Sequence, residues 1–85
     1  MVEVLEKVTY PLLMVTWYDH ITVDHWCKKD ALRKTPPILS SVGWLVYEDD
    51  LIINLAQCVS MEADDDEVCC QFIILKSCIL SRREI

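Results

Sequence analysis

The stretch VGWLVYEDDLIINLAQCV, residues 42–59, followed by VCCQFIILKSCI, residues 68–79, decides how this chain folds. Both are rich in the β-branched, aliphatic and aromatic side chains that suit a pleated, half-covered surface. In the first, Val42, Trp44 and Val46 share one face while Gly43, Leu45 and Tyr47 share the other, so both faces are expected to be covered. Glu48-Asp49-Asp50 interrupts the run as a turn. Leu51, Ile53 and Leu55 then alternate with Ile52, Asn54 and Ala56. Spacing and turn chemistry predict a hairpin of strands over 38–47 and 51–56, with Gly43 marking a bulge or strong bend. In the second stretch, Val68, Cys70, Phe72 and Ile74 alternate with Cys69, Gln71, Ile73 and Leu75 as a further strand. Lys76-Ser77 is a tight corner, and residues 78–83 form a short last strand with Ile79 and Leu80 on opposite sides.

Upstream, residues 8–18 are β-branched, aromatic or aliphatic and read as a first strand, with Pro11 near its start, where a missing N–H costs no ladder bond. Between residues 19 and 37 the alternation dissolves. Asp24 is positioned to cap a short helical turn running to Leu32, which Pro36-Pro37 would end. Five strands in 85 residues cannot make two full sheets. The expectation is therefore an all-β domain with a small α contribution: one strongly bent sheet curled into a five-stranded β-barrel spanning residues 1–85, with an irregular or short-helical insertion at 19–37.

A single domain of this length buries only about 60–65% of the surface its unfolded chain exposes. Yet 53% of the residues are apolar and only one is glycine, more hydrophobic material than a small β-domain needs for its own core. Part of that surplus is expected to meet another subunit, because open sheet edges invite pairing with other chains. No run reaches the roughly 18 apolar residues of a membrane helix, and Met1 is followed by Glu3, Glu6 and Lys7 rather than by a basic and then apolar leader, so the reading is a soluble, unsecreted chain without membrane contact. The five cysteines, an odd number with Cys69 and Cys70 adjacent, do not suit a disulfide framework and favour a reducing cytoplasm. Fourteen acids against eight lysines and arginines give a net charge of −6, which opposes nonspecific attraction to nucleic acid or anionic membranes. Basic residues nevertheless cluster at Lys28, Lys29, Arg33 and Lys34 and again at Lys76, Arg82 and Arg83, while residues 62–67 hold five acids and read as a solvated loop.

The residues Asp50-Leu51-Ile52-Ile53-Asn54-Leu55, preceded by Gly43 and an aliphatic-aromatic run, resemble the D-x-x-M-N-L core of the first motif of the Sm-like family. Ile74-Leu75-Lys76-Ser77-Cys78-Ile79 resembles the second motif, nearest to the Y-K-H-A-I form of the bacterial RNA chaperone Hfq. The resemblance spans residues 38–83 and rests on the order and separation of the two pieces. Gly43 lies one residue further from Asp50 than the family spacing, Ser77 stands in place of the usual glycine, and residues 19–37 form a long insertion. The likeness is thus to a divergent member of the small phage-encoded kind, which would act in the host cytoplasm. It implies a short N-terminal helix, a five-stranded bent barrel, and a homo-oligomeric ring in which the fourth strand of one subunit pairs with the fifth strand of the next. It also implies that single-stranded RNA, rich in uridine or adenine, binds at the pore-side loops through Asp50, Asn54, Lys76 and Ser77, by base stacking and a lysine contact.

Two of these residues have a plainer alternative. Asn54, with Leu51 and Ile52 before it, reads rather as a polar residue on a half-exposed strand face, and Lys76 equally as a solvated turn lysine. Asp49 and Asp50 would set a ring of carboxylates near any bound phosphate, which favours the alternative of a non-enzymatic protein-interaction or scaffolding module. His20, Asp24, His25 and Cys27 are metal-ligand types, but their spacing fits no closed zinc pattern, so neither metal nor cofactor is expected. Trp17 and Trp44 read as core or interface residues, Trp44 as buried, and Trp26 as the one suited to an exposed contact. There is no glycine-rich phosphate loop and no serine elbow, the histidines lack a recognisable nucleophile, and Cys69 and Cys70 lie inside an apolar strand without nearby positive charge. An enzyme is not expected.

Overall fold

A computed structural model describes residues 10–85. Five strands, β1 (Leu12–Tyr18), β2 (Ile38–Glu48), β3 (Ile52–Val59), β4 (Val68–Leu75) and β5 (Ile79–Glu84), form one antiparallel sheet in the order β4-β3-β2-β1-β5. The all-β expectation holds, and the four strands from β2 onward fall within a residue or two of their expected bounds, apart from the C-terminal end of β3. That strand runs on to Val59, three residues past the expected end, because Cys58 and Val59 still pair with Cys69 and Val68 of β4. The first strand begins only at Leu12; Val8 and Thr9, and the N-terminal helix that the resemblance implies, lie outside the described residues. Pro11 stands just before β1, where its carbonyl accepts a bond from Leu45 N–H at 2.9 Å.

In β1 every second residue turns inward, and Leu13, Val15 and Trp17 are buried. Ile53 and Leu55 from β3, and Ile74 from β4, complete the core cluster, with Leu45, Phe72 and Ile79 packed against it and half covered. The Trp17 indole N–H is satisfied inside this core by Ser41 Oγ at 3.0 Å, as a buried polar handle requires. Gly43 answers a close approach rather than a bulge. A Cβ at this position would lie 2.9 Å from Leu55 Cβ and 3.2 Å from the Ala56 carbonyl oxygen. The irregularity in β2 falls instead between Leu45 and Tyr47, which makes Val46 the extra residue. Trp44 is half covered, not buried.

The sheet curls strongly but does not close. β4 and β5 lie at opposite ends of the strand order, which in a flat sheet would put them about 19 Å apart at ~4.8 Å per step. They are nonetheless joined by a single 3-10 turn, Lys76–Cys78, whose rise of ~2 Å per residue cannot bridge that gap. The curl that solves this brings β1 over β4: the Trp17 and Phe72 rings meet edge to face with centroids 5.1 Å apart. No ladder joins β4 to β5, so the closed barrel expected from the sequence is corrected to an open, curled sheet. The cause is local. Lys76 N–H bonds back to the Leu51 carbonyl at 2.8 Å, which ties the corner to the β2–β3 turn, and the chain then leaves β4 to pair with β1.

Residues 19–37 leave the sheet between β1 and β2 through a neck closed by Asp19 N–H to the Pro37 carbonyl, 3.0 Å. Residues 20–36 are exposed throughout. The only helix here is a 3-10 turn, Lys29–Ala31, preceded by Lys28 with no side-chain cap. The helical turn capped by Asp24 does not form, because no apolar face in this segment has anything to pack on. Among the described residues no helix is long and apolar enough to cross a membrane.

Candidate functional site

The two loops singled out by the sequence do come together. The β2–β3 turn, Asp49-Asp50-Leu51, is built around Asp49, whose Oδ1 accepts the N–H groups of Leu51 and Ile52 at 2.8 and 2.9 Å. Its Oδ2 accepts the Tyr47 hydroxyl at 2.8 Å. An aspartate that satisfies the amides ahead of it is a self-contained turn device. These bonds, the two backbone amides first, hold the Asp49 carboxyl below its ordinary value, while the bond to Asp49 pushes the Tyr47 phenol up.

Lys76 spans from the corner to this turn. Its Nζ lies 2.7 Å from Glu48 Oε2 and donates to the Asp49 carbonyl at 2.9 Å. Arg82 of β5 reaches the same Glu48 oxygen from the other side at 3.0 Å. Arg82 pairs with Val15 across the β1–β5 ladder, so one carboxylate at the end of β2 links the corner and the edge strand. Lys76 first, then Arg82, holds the Glu48 carboxyl below its ordinary value.

Of the four expected site residues, Lys76 and Ser77 occupy the 3-10 corner and Asp50 the facing turn; Asp50 and Ser77 are exposed. Asn54 is not in a loop. It lies within β3 opposite Tyr47 and Ile73, and its amide donates to Gln71 Oε1 at 2.8 Å. Its Oδ1 is buried without a protein partner. The position beside Gln71 matches the plainer reading of Asn54, a polar residue on a strand face. Glu48 and Tyr47, read in the sequence only as turn and strand residues, are the ones that organise the corner. The signal for Asp49 was present, since an aspartate followed by two residues entering a strand is an Asx-turn pattern. Nothing local signals the pairing of Glu48 with Lys76 and Arg82, which are 28 and 34 positions away.

The chemistry available here is limited by charge. Glu48, Asp49 and Asp50 set three carboxylates against Lys76 and Arg82, and both cations are already engaged. His20, Asp24, His25 and Cys27 are all exposed on the excursion, and among the described residues no group of three or more histidine, cysteine or acidic side chains converges to hold a metal ion. Compared with protein-family models, with curated proteins and with solved structures, the chain shows no significant match.

Proposed function

We propose that this chain is a non-enzymatic, self-assembling β-module of Sm-like architecture that works through protein–protein contact, with the β4 edge of one copy pairing with the β5 edge of the next. The observation that carries this reading is the pair of open edges: β4 and β5 each have a hydrogen-bonded neighbour on one side only. Both display apolar side chains to solvent, Ile73 at 57% and Leu80 at 46% exposure, with Leu75 beside them. An open apolar edge is a template for another strand, and repetition of one such contact around a closing rotation gives a ring.

RNA binding at the pore-side loops, through Asp50, Asn54, Lys76 and Ser77, is the second reading, supported by the likeness of those residues to the two family motifs. The occupied charges weigh against it. Lys76 would have to exchange Glu48 for a phosphate, and Asn54 to leave Gln71. Fluorescence anisotropy with labelled polyuridine and polyadenine at low salt separates the two. Undetectable binding at high micromolar protein supports the protein-contact reading. Binding that Lys76→Ala abolishes would overturn it.

A further inference from the structure

Three thiols gather far from the charged corner. Cys69 is the cross-strand partner of Cys58 in the β3–β4 register, and its Sγ lies 3.5 Å from Cys70 Sγ. All three are exposed, for Cys69 and Cys70 contrary to the apolar strand interior the sequence suggests, and Cys58 and Cys69 line one shallow depression open to solvent. Cys70 also adopts a φ of 60°, a left-handed conformation disfavoured for any side chain with a Cβ. Such a strained position points from an outlier towards function. It falls where the β3–β4 ladder skips a pair, between Ala56↔Gln71 and Cys58↔Cys69.

Spacing distinguishes the partners. Antiparallel neighbours have Cα atoms about 4.5–5.5 Å apart, inside the range of roughly 4.4–6.8 Å that disulfides use, whereas adjacent residues are held at about 3.8 Å, short of it. Cys58 and Cys69 are therefore the pair suited to a bond, and Cys70 is the thiol in contact with it. The hydrogen bond to Cys69 raises the Cys70 thiol above its ordinary value. Cys69 is the one sulfur that stands both opposite Cys58 in the ladder and beside Cys70.

We propose that Cys58, Cys69 and Cys70 form a thiol–disulfide exchange site, which low-molecular-weight disulfides of the glutathione type oxidise to a cross-strand Cys58–Cys69 bond. The Cys69 thiolate attacks one sulfur of oxidised glutathione, whose S–S bond breaks and releases one glutathione, leaving a mixed disulfide on Cys69. The Cys58 thiolate then attacks Cys69 Sγ and expels the second glutathione. Two electrons and two protons pass from the cysteine pair to oxidised glutathione, which leaves as two molecules of reduced glutathione. Because a mixed disulfide closes to a protein disulfide only where a second thiol is within reach, Cys27, exposed on the excursion away from the β3–β4 ladder, is the internal control.

The test is to incubate the reduced full chain with oxidised glutathione, block free thiols and map peptides by mass spectrometry. The expected product links Cys58 to Cys69 with Cys27 unlinked. Cys58→Ser should accumulate glutathione on Cys69 and release the second glutathione at least about tenfold more slowly, while Cys70→Ser should still form the Cys58–Cys69 link. A Cys69–Cys70 link in the wild-type chain, or glutathione retained on Cys69 of the wild-type chain without a Cys58–Cys69 link, would overturn the proposal. So would unchanged release in Cys58→Ser. The wild-type map decides by itself if a variant fails to fold.

Discussion

Lys76 Nζ lies 2.7 Å from Glu48 Oε2, and through this contact the corner between β4 and β5 is fastened to the turn between β2 and β3. Arg82 shares the same oxygen, so a single carboxylate meets cations from two elements. The arrangement gives the corner a defined geometry and at the same time occupies the cations that an RNA phosphate would need.

Acid should loosen this corner. The Glu48 and Asp49 carboxyls are both held below their ordinary values, so the folded state binds their protons less readily than the unfolded chain does. The stability they contribute is complete above the ordinary carboxyl range of about 4 and is lost as pH falls through that range and below. Urea midpoints measured between pH 7 and pH 3 should fall, and Glu48→Gln should show a shallower fall than the wild-type chain. Equal slopes would mean that the pairing contributes nothing in solution.

Gly43→Ala should destabilise the fold by about 1–3 kcal/mol, the usual cost of forcing extra volume into a packed site. The new methyl would meet Leu55 Cβ at 2.9 Å and the Ala56 carbonyl at 3.2 Å, and neither belongs to a flexible side-chain end. Urea denaturation checks this, and a midpoint unchanged from wild type would contradict the close approach.

The curl of the sheet should depend on the aromatic contact between β1 and β4. Phe72 packs edge to face on Trp17 and is only half covered in the single chain, so Phe72→Ala is expected to cost about 1–3 kcal/mol, below the range for a fully buried phenylalanine. The Trp17 emission should shift to the red as its ring gains solvent. Trp17 is one of three tryptophans, and the exposed Trp26 can be replaced by phenylalanine beforehand to clear the background.

The strand pattern was legible in the sequence because alternation with a period of two survives wherever one face is buried. Residues 12–18 of β1 are the plain example. The start of β1 and the excursion at 19–37 were less legible, since Pro11 and the mixed residues after Tyr18 carry no period. Closure was overestimated for a different reason: alternation reports which face is buried and says nothing about whether two edges meet. At the site, Lys76 and the acidic turn were picked out correctly as neighbours. For Asn54 the alternation points to the strand it occupies, while the motif likeness points to a loop, because a motif match carries no information on where the strand begins. Glu48 was passed over because its partners are distant in sequence and near only after the sheet curls.

Charge on the open edges should block self-association without unfolding the monomer. Ile73 and Leu80 are exposed in the single chain, so Ile73→Lys and Leu80→Lys remove no core packing, yet each places a lysine where a neighbouring strand would sit. Far-UV circular dichroism should be unchanged in both, while the sedimentation coefficient falls to that of a monomer. Variants that remain associated would show that the edges are not the interface.

The most direct measurement is the molar mass of the wild-type chain in solution, by light scattering on a sizing column at micromolar concentration. Pairing of β4 with β5 between copies predicts a discrete oligomer whose mass is an integer multiple of the 9.9 kDa chain and holds steady on dilution. A monomer across the whole concentration range would contradict it.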